Sequence, residues 1–260
     1  MDLPSLLKGP PIWAETRATL ETGALLRSRV YKGEGVLDAA GQPVLLIPGF
    51  LAGDTSLGLM TGWLRRTGHR TKRAGIRFNV DCSGAVMTGL ERRLESLAEA
   101  RGRKVAIVGQ SRGGTFARAL AVRRPDLVSG VVGLGSPVLD PFAVHPLVRL
   151  TMHSVGALGT LGAPGFFRHR CRTGECCDAF WRELKAPFPE GVGFTAVYSK
   201  SDGVVDYRAC LDPAAEQVEV ASSHVGMSLN PHAYRVTADA LARFRAPQAE
   251  TAGATLSDVA

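Results

Sequence analysis

The chain has 260 residues, of which 45% are hydrophobic and 21% charged, proportions that are ordinary for a globular protein with a sizeable core. Its net charge of +7 comes from scattered basic residues, and the lack of a long lysine or arginine run argues against nucleic-acid binding. No apolar run approaches the ~20 residues of a membrane-spanning helix. We therefore expect one domain, 1–260, without stable membrane insertion.

Short apolar runs alternate with helical patterns along the chain. The predicted strands are 44–47, 70–72, 104–108, 128–134, 194–198 and 218–220, and the predicted helices are 14–26, 56–66, 84–100, 115–124 and 231–245. The first strand is wholly apolar, as in parallel strands that are buried on both faces. This alternation predicts an α/β fold, with a mainly parallel central sheet and helices on both faces.

The alternation breaks between residues 137 and 190. This stretch contains several glycines and prolines together with apolar residues such as Leu147, Met152 and Phe166, so it is not a simple helical crossover. We predict an inserted cap or lid at 137–190, and a structural excursion away from any site is the alternative. The last stretch, 247–260, is small and polar and predicts a flexible tail.

A predicted strand runs directly into Gly-Gln-Ser-Arg-Gly at 109–113, and a helical pattern follows. The turn from strand to helix in such a motif is so tight that side chains at Gly109 and Gly113 would clash. Ser111, at the apex, would be held in a strained backbone conformation with its hydroxyl exposed. This nucleophile elbow predicts Ser111 as the nucleophile; a glycine-rich turn that merely contains a serine is the alternative.

A serine hydroxyl needs a base to take its proton and a carboxylate to orient that base. On this type of fold the acid follows a late strand and the histidine follows the last one. Asp202 lies just past the strand 194–198, and Asp206 is the alternative acid. His224 follows the last predicted strand. Because the carboxyl ends of parallel strands meet at one edge, we predict Ser111, Asp202 and His224 as a catalytic triad.

The oxyanion that develops during attack needs two backbone N–H donors. The Arg112 amide, directly after the nucleophile, is one candidate. The turn Pro-Gly-Phe at 48–50 should supply the other, from Phe50 or in reserve from Leu51, although an ordinary turn is the alternative interpretation. The candidate substrate-binding residues are Leu51, His145 and Val225.

These motifs resemble those of α/β-hydrolases, in particular the compact bacterial lipases and esterases. The matching segments are LIPGF at 46–50, VGQSRGG at 108–114, VVGLGSP at 131–137, YSKSDG at 198–203 and SHVG at 223–226. The resemblance implies Ser111, Asp202 and His224 as triad, with Phe50 and Arg112 as oxyanion donors. Two departures stand out: proline and glycine occupy 48–49 where these enzymes often have His-Gly, and Arg112 stands where many lipases carry methionine.

The triad and the resemblance together imply a serine hydrolase of the esterase or lipase type, which cleaves carboxylic esters through an acyl-enzyme without a cofactor and without a metal in its site. The apolar residues of the predicted cap favour small-molecule esters with an apolar acyl or aryl group. A thioesterase or acyltransferase could use the same triad, and a non-catalytic binding module could keep the same fold. The sequence does not indicate the oligomeric state.

The cysteines are odd in number, so they cannot all pair within the chain. They are Cys82, Cys171, Cys176, Cys177 and Cys210. The crowded spacing at 171–177 matches no standard zinc pattern, and a disulfide that staples the cap, free thiols and a metal remain open; a bridge from Cys210 to the cap is geometrically plausible. The first residues lack the pattern of a secretory signal, which predicts a cytoplasmic protein, whereas a disulfide would favour an oxidising compartment.

Overall fold

The computed structural model describes residues 11–172 and 174–245. Within them lies a six-stranded sheet made of β1 (Pro43–Ile47), β2 (Arg70–Arg73), β3 (Val105–Gln110), β4 (Val128–Leu134), β5 (Gly193–Tyr198) and β6 (Glu216–Glu219). The strand order is β2-β1-β3-β4-β5-β6, and every neighbouring pair is parallel. The order reverses between β1 and β3, and such a reversal opens a crevice at the carboxyl ends of the strands. The predicted parallel sheet is confirmed.

The helices of the described residues are α1 (Ala18–Arg27), α2 (Gly58–Arg66), α3 (Ser83–Arg101), α4 (Arg112–Arg123), α5 (Pro146–Thr160), α6 (Asp178–Lys185) and α7 (Pro231–Arg245). Helices α3, α4 and α6 cover one face of the sheet, and α1, α2 and α7 cover the other. Successive side chains of a strand point to opposite faces. Accordingly, Leu45 and Ile47 of β1 join the first layer, whereas Val44 and Leu46 join the second.

The predicted element boundaries differ from the observed ones where a turn is very tight. The helix expected at 115–124 begins three residues earlier, at Arg112, because the chain turns into it within the single residue Ser111. The helix expected at 14–26 is divided into the 3-10 helix Ile12–Arg17 and α1. The 3-10 helix runs directly into α1, without an intervening turn.

The segment 137–190 contributes no strand to the sheet in its described part and contains α5, α6 and short turns. Helix α5 has exposed leucines at 147, 150 and 158. No helix among the described residues is long and apolar enough to cross a membrane. The predicted tail at 247–260 lies outside the described residues. A cap or lid at 137–190 stays a prediction.

A buried arginine joins this segment to the helix that follows β3. Arg118 of α4 pairs with Asp212, with 2.6 Å between Nε and Oδ2, and both side chains are buried. Its other nitrogens donate to the carbonyl oxygens of Leu184 (2.8 Å) and Ala186 (3.1 Å) at the end of α6. One guanidinium thus satisfies several acceptors from two parts of the chain that are far apart in sequence.

Candidate active site

Ser111 stands between β3 and α4 with φ 51° and ψ −124°, a left-handed conformation that residues other than glycine rarely adopt. Its amide donates to the carbonyl oxygen of Leu134 in β4 (2.8 Å), which helps to hold the strained turn against the sheet. A Cβ added to Gly113 would collide with the backbone of Ile47, and one added to Gly109 would meet the Gly113 backbone below 3.0 Å. The backbone thus forms the elbow that the motif predicts.

Asp202 and His224 meet at the same edge of the sheet. Asp202 Oδ2 lies 2.7 Å from His224 Nδ1, and both residues are buried. Asp202 Oδ1 accepts the backbone amides two and three residues further along, at 2.8 and 2.7 Å. The alternative acid, Asp206, instead caps the short helix Tyr207–Cys210. Asp202 is therefore the carboxylate that the structure brings to the histidine.

The protonation of His224 responds to opposing influences. Burial acts to lower the pKa of His224, but the charge and hydrogen bond of Asp202 and the charge of Glu15 outweigh it, so the pKa is raised above its ordinary value. Ser111 and His224 line one pocket, although no hydrogen bond joins their side chains among the described contacts. Such bonds are often long in serine hydrolases before substrate binds.

Glu15, which sequence reasoning missed, connects the two loops that carry Asp202 and His224. It lies in the 3-10 helix Ile12–Arg17. Its Oε1 accepts the amides of Gly203 (3.0 Å) and His224 (2.8 Å), and its Oε2 accepts the amide directly after the histidine (2.9 Å). These contacts span roughly the length of the chain, so no local pattern in the sequence could have indicated them.

Two further side chains hold the histidine loop. Glu21 of α1 accepts both the amide (2.9 Å) and the hydroxyl (2.6 Å) of Ser223. From the other side, Gln110 Nε2 donates to the carbonyl oxygen of His224 at 3.3 Å. The backbone on both sides of the imidazole is thus fixed by hydrogen bonds to separate elements.

The turn after β1 runs against the nucleophile. A Cβ added to Gly49 would lie 3.2 Å from the Cβ of Ser111, so glycine permits this approach. Neither the Phe50 amide nor the Leu51 amide has an acceptor within the described part of the chain. Arg112 is the first residue of α4, and the first N–H groups of a helix have no acceptor inside the helix. The geometry keeps both predicted donors of the turn available.

The Arg112 side chain turns toward the protein. Its guanidinium donates to the backbone carbonyl (2.8 Å) and the side-chain Oδ1 (3.0 Å) of Asn79, and to the carbonyl of Asp81 (2.7 Å). Asn79 is fully buried, and its Nδ2 donates to the carbonyl oxygen of Pro48 (2.7 Å). This chain of hydrogen bonds connects the start of α4 to the turn after β1. The sequence analysis did not predict this role of Asn79 either.

A pocket of about 330 Å³ lies between these loops and the segment 137–190. Ser111 and His224 both line it. The rest of its lining is mainly apolar and includes Phe50, Leu51, Val144, Val148, Met152, Phe180, Trp181, Val225 and Leu229. Two of the three predicted substrate-binding residues, Leu51 and Val225, therefore lie at the pocket.

His145, the third, does not line this pocket. It is buried, and its Nδ1 accepts the amide of Leu147 at 3.2 Å, which caps the start of α5. Burial also lowers the pKa of His145. The structure therefore gives this residue a place in the helix cap.

The cysteines divide differently from the sequence-based expectation. Cys82, at the start of α3, joins Cys171, Cys176 and Cys177 in one cluster. Cys210 lies outside this cluster, buried beside Val144 and Val205, and the bridge from Cys210 to the cap that the sequence left open is not formed. No disulfide joins any of the five cysteines, all of which are described. None of the four cysteines of the cluster lines the pocket.

The model of the putative esterase family matches residues 87–225, more than half of the chain, and this range includes Ser111, Asp202 and His224. No curated protein matches the chain. Among solved structures, a mature Bacillus licheniformis lipase is similar at TM-score 0.58 and 15% identity, over 80% of this chain and 94% of that one. A Paleococcus ferrophilus monoacylglycerol lipase is similar at TM-score 0.54 and 14% identity, over 78% and 96%.

A monoglyceride lipase from Saccharomyces cerevisiae is also similar, at TM-score 0.56 and 14% identity, over 82% of this chain and 90% of that one. At these identities the three structures demonstrate the shared fold alone, whereas the family match also concerns activity. The sheet order, the elbow and the match agree with one another. The chain belongs to the putative esterase family and is a carboxylic ester hydrolase with an α/β-hydrolase fold.

Proposed function

We propose that this hydrolase cleaves its esters with a triad of Ser111, His224 and Asp202, through an acyl-enzyme, and that its substrates carry an apolar acyl or aryl group. One observation carries the proposal. An elbow serine and a histidine that is paired with a buried carboxylate converge on one largely apolar pocket.

Acylation begins when Ser111 Oγ attacks the ester carbonyl and His224 Nε2 takes the hydroxyl proton. Asp202, which faces Nδ1 at 2.7 Å, holds the ring and stabilises the imidazolium that forms. The two amides that Asp202 Oδ1 accepts fix the carboxylate so that Oδ2 faces the imidazole. The imidazolium then gives its proton to the oxygen of the leaving alcohol.

The negative charge on the carbonyl oxygen is stabilised by the amides of Arg112 and Phe50. The lack of an acceptor for the Phe50 amide among the described residues supports this assignment, because a donor that is already engaged would have to exchange partners during the reaction. Leu51 has an equally available amide and is the alternative donor. Each oxyanion donor is worth about 10²–10³-fold in kcat.

Deacylation reverses the proton movements. His224 removes a proton from water, the resulting hydroxide attacks the acyl carbonyl, and the protonated histidine returns its proton to Ser111 Oγ as the acid leaves. The raised pKa of His224, with Asp202 and Glu15 opposing the effect of burial, makes it a strong base once it is neutral. No cofactor enters these steps.

The character of the pocket supports an apolar substrate. A volume of about 330 Å³ lies at the small end of ligand pockets, which range over roughly 300–1,000 Å³. The lining contributed by the segment 137–190 includes side chains such as Val148, Met152 and Trp181. They offer little that could hydrogen bond to a polar acyl group.

The test is hydrolysis of p-nitrophenyl esters of increasing acyl length by the wild type and by Ser111→Ala. We expect Ser111→Ala to lose about 10³-fold or more in kcat/KM, and a fluorophosphonate probe to label the wild type but not the variant. Ser154→Ala, an exposed serine on α5, is the matched control and should retain activity. Labelling at another residue would contradict the nucleophile, and a steady decline beyond acetate esters would contradict the substrate class.

A further inference from the structure

The sulfur atoms of Cys82, Cys171, Cys176 and Cys177 all lie within 4.8 Å of one another. Three of these separations are 3.4 Å between Cys82 and Cys177, 3.6 Å between Cys171 and Cys176, and 3.7 Å between Cys176 and Cys177. Zinc–sulfur bonds of about 2.3 Å at tetrahedral angles place neighbouring sulfurs about 3.8 Å apart. We propose that these four cysteines bind one structural zinc ion, at a site separate from the proposed triad.

The arrangement fits shared coordination better than disulfide pairing. A disulfide requires sulfurs about 2.0 Å apart, and these three separations are all well beyond that distance. Cys176 approaches both Cys171 and Cys177, and Cys177 also approaches Cys82. A pair of disulfides would divide four sulfurs into two exclusive couples, whereas a common ligand draws all four toward one point.

Two of the four sulfurs have surroundings that suit a metal ligand. Cys82 directly precedes α3, and its sulfur lies near the start of that helix. The amide of Arg168 donates to Cys171 Sγ at 3.3 Å. The positive end of a helix and an N–H donor both stabilise the negative charge of a metal-bound sulfur. Metal-bound cysteine is a thiolate.

The two segments that supply the cysteines are packed closely. A Cβ added to Gly84 would collide with the carbonyl oxygen of Cys176. Only a glycine at this position allows the chain around Cys176 to approach the first turn of α3. The close approach is therefore built into the backbone and does not depend on the rotamers of the sulfurs.

A neighbouring cation offsets the charge of the proposed site. Four thiolates and one Zn²⁺ carry a net charge of −2, which needs compensation in a partly buried place. The Arg112 guanidinium donates to the Asp81 carbonyl (2.7 Å) and is 3.3 Å from the Ser83 hydroxyl, so it contacts the residues on both sides of Cys82. Because Arg112 directly follows the proposed nucleophile, it connects the surroundings of the cysteine cluster to the start of α4.

A site with four protein ligands and no open position is structural. It would fasten the chain at 171–177 to the start of α3. Directly beyond lies α6, which supplies Phe180 and Trp181 to the pocket wall, and Trp181 Nε1 donates to the Cys171 carbonyl at 3.2 Å. Zinc would thus hold one wall of the pocket and the anchor of Arg112 without touching the triad.

The first test is the metal content of the full-length protein, purified from cells grown with added zinc and measured by mass spectrometry of the elements. We expect one zinc per chain. Cys82→Ser and Cys177→Ser should each lose it, whereas Cys210→Ala, which removes the cysteine outside the cluster, should retain it. In denaturant with a chelator and without reductant, all five cysteines should react as free thiols.

Cobalt gives a second readout that needs no variant. After removal of zinc under reducing conditions, one equivalent of Co²⁺ should produce the visible absorption of tetrahedral cobalt thiolate, and zinc should displace it. Zinc-free wild-type protein should melt at a lower temperature than the zinc-bound form. If the cysteine variants fail to fold, the cobalt titration of the wild type decides the matter.

Several results would overturn the proposal. Fewer than five reactive thiols would show a disulfide. If all five thiols react but the protein contains no zinc and gives no cobalt thiolate spectrum, the cysteines are free. If Cys82→Ser retained zinc, the zinc ion would be bound elsewhere. If the purified protein contained one iron per chain and no zinc, the identity of the metal as zinc would be refuted. Ester hydrolysis by Ser111→Ala, in contrast, bears only on the triad, so the two proposals fail independently.

Discussion

The loops that carry the proposed triad and the segment 137–190 are held in place by different forces. Asp202 accepts two backbone amides and Glu15 accepts three, so the loops are fixed by directional hydrogen bonds. The part of the segment that lines the pocket is instead packed mainly through aromatic contacts: Phe180 meets Phe116 of α4 at 5.3 Å between ring centroids, and Trp181 meets Phe180 at 4.9 Å. We infer that reaction geometry and pocket shape can be changed separately.

The largest effect should come from breaking the hydrogen bond between Asp202 and His224. Asp202→Asn should lower kcat by about 10³–10⁴-fold, because the amide can no longer hold the imidazole in the required tautomer. The measurement is steady-state hydrolysis of a p-nitrophenyl ester at the pH optimum. Asp206→Asn is the matched control, since the Asp206 side chain caps the neighbouring short helix and pairs with Arg208 without contacting His224. Equal losses in both variants would contradict the assignment of Asp202.

The next largest effect concerns Arg118, which connects α4 to the end of the segment 137–190, and it should appear as a lower free energy of unfolding. Asp212→Asn should lower the free energy of unfolding by about 3 kcal/mol, because it leaves the buried Arg118 guanidinium without its counter-charge. Urea unfolding measures this loss. Glu219→Gln, which breaks the exposed pair between Lys200 and Glu219, should cost under about 1 kcal/mol. Similar midpoints for both variants would refute the buried pair as a major contributor.

The contribution of the segment 137–190 to the shape of the pocket is tested by a substitution that fills the pocket. Met152→Trp should reduce kcat/KM for long-chain esters about 10-fold relative to acetate, because steric exclusion of a few methylenes is worth about 1–3 kcal/mol. Activity toward acetate should change little. Leu150→Trp lies on the same helix at an exposed position and should leave the ratio unchanged. A parallel loss for short and long esters with Met152→Trp would mean that pocket shape and reaction geometry are coupled.

The smallest effect is a change in pH dependence. Glu15→Gln removes a negative charge that helps to raise the pKa of His224. Because the base must be neutral, a lower pKa keeps it active at lower pH, so the acid limb of kcat/KM should move to lower pH. Glu21→Gln, whose contacts are with Ser223, should leave the limb in place. An acid limb that is unchanged or moves upward in Glu15→Gln would contradict the electrostatic role.

The parallel sheet and the meeting of Ser111, Asp202 and His224 could be predicted because each depends on local signals. An apolar run followed by a glycine or a turn marks the end of a strand, and the carboxyl ends of parallel strands share one edge. The choice between Asp202 and Asp206 needed coordinates, since both follow β5 closely. His145 shows the limit of such reasoning. It was predicted to bind substrate from the inserted segment, but its side chain instead accepts a backbone amide at the start of α5.

The sequence by itself determined which residues could react and where along the chain they lie, because strand ends and glycine-dependent turns are properties of short segments. Tertiary structure alone decided which distant residues support them. Glu15 reaches the histidine loop, Asn79 joins Arg112 to the turn after β1, and Cys82 meets the cysteines at 171–177. These contacts depend on how helices and loops pack across the molecule, and packing depends on shape and distance, which no local pattern records.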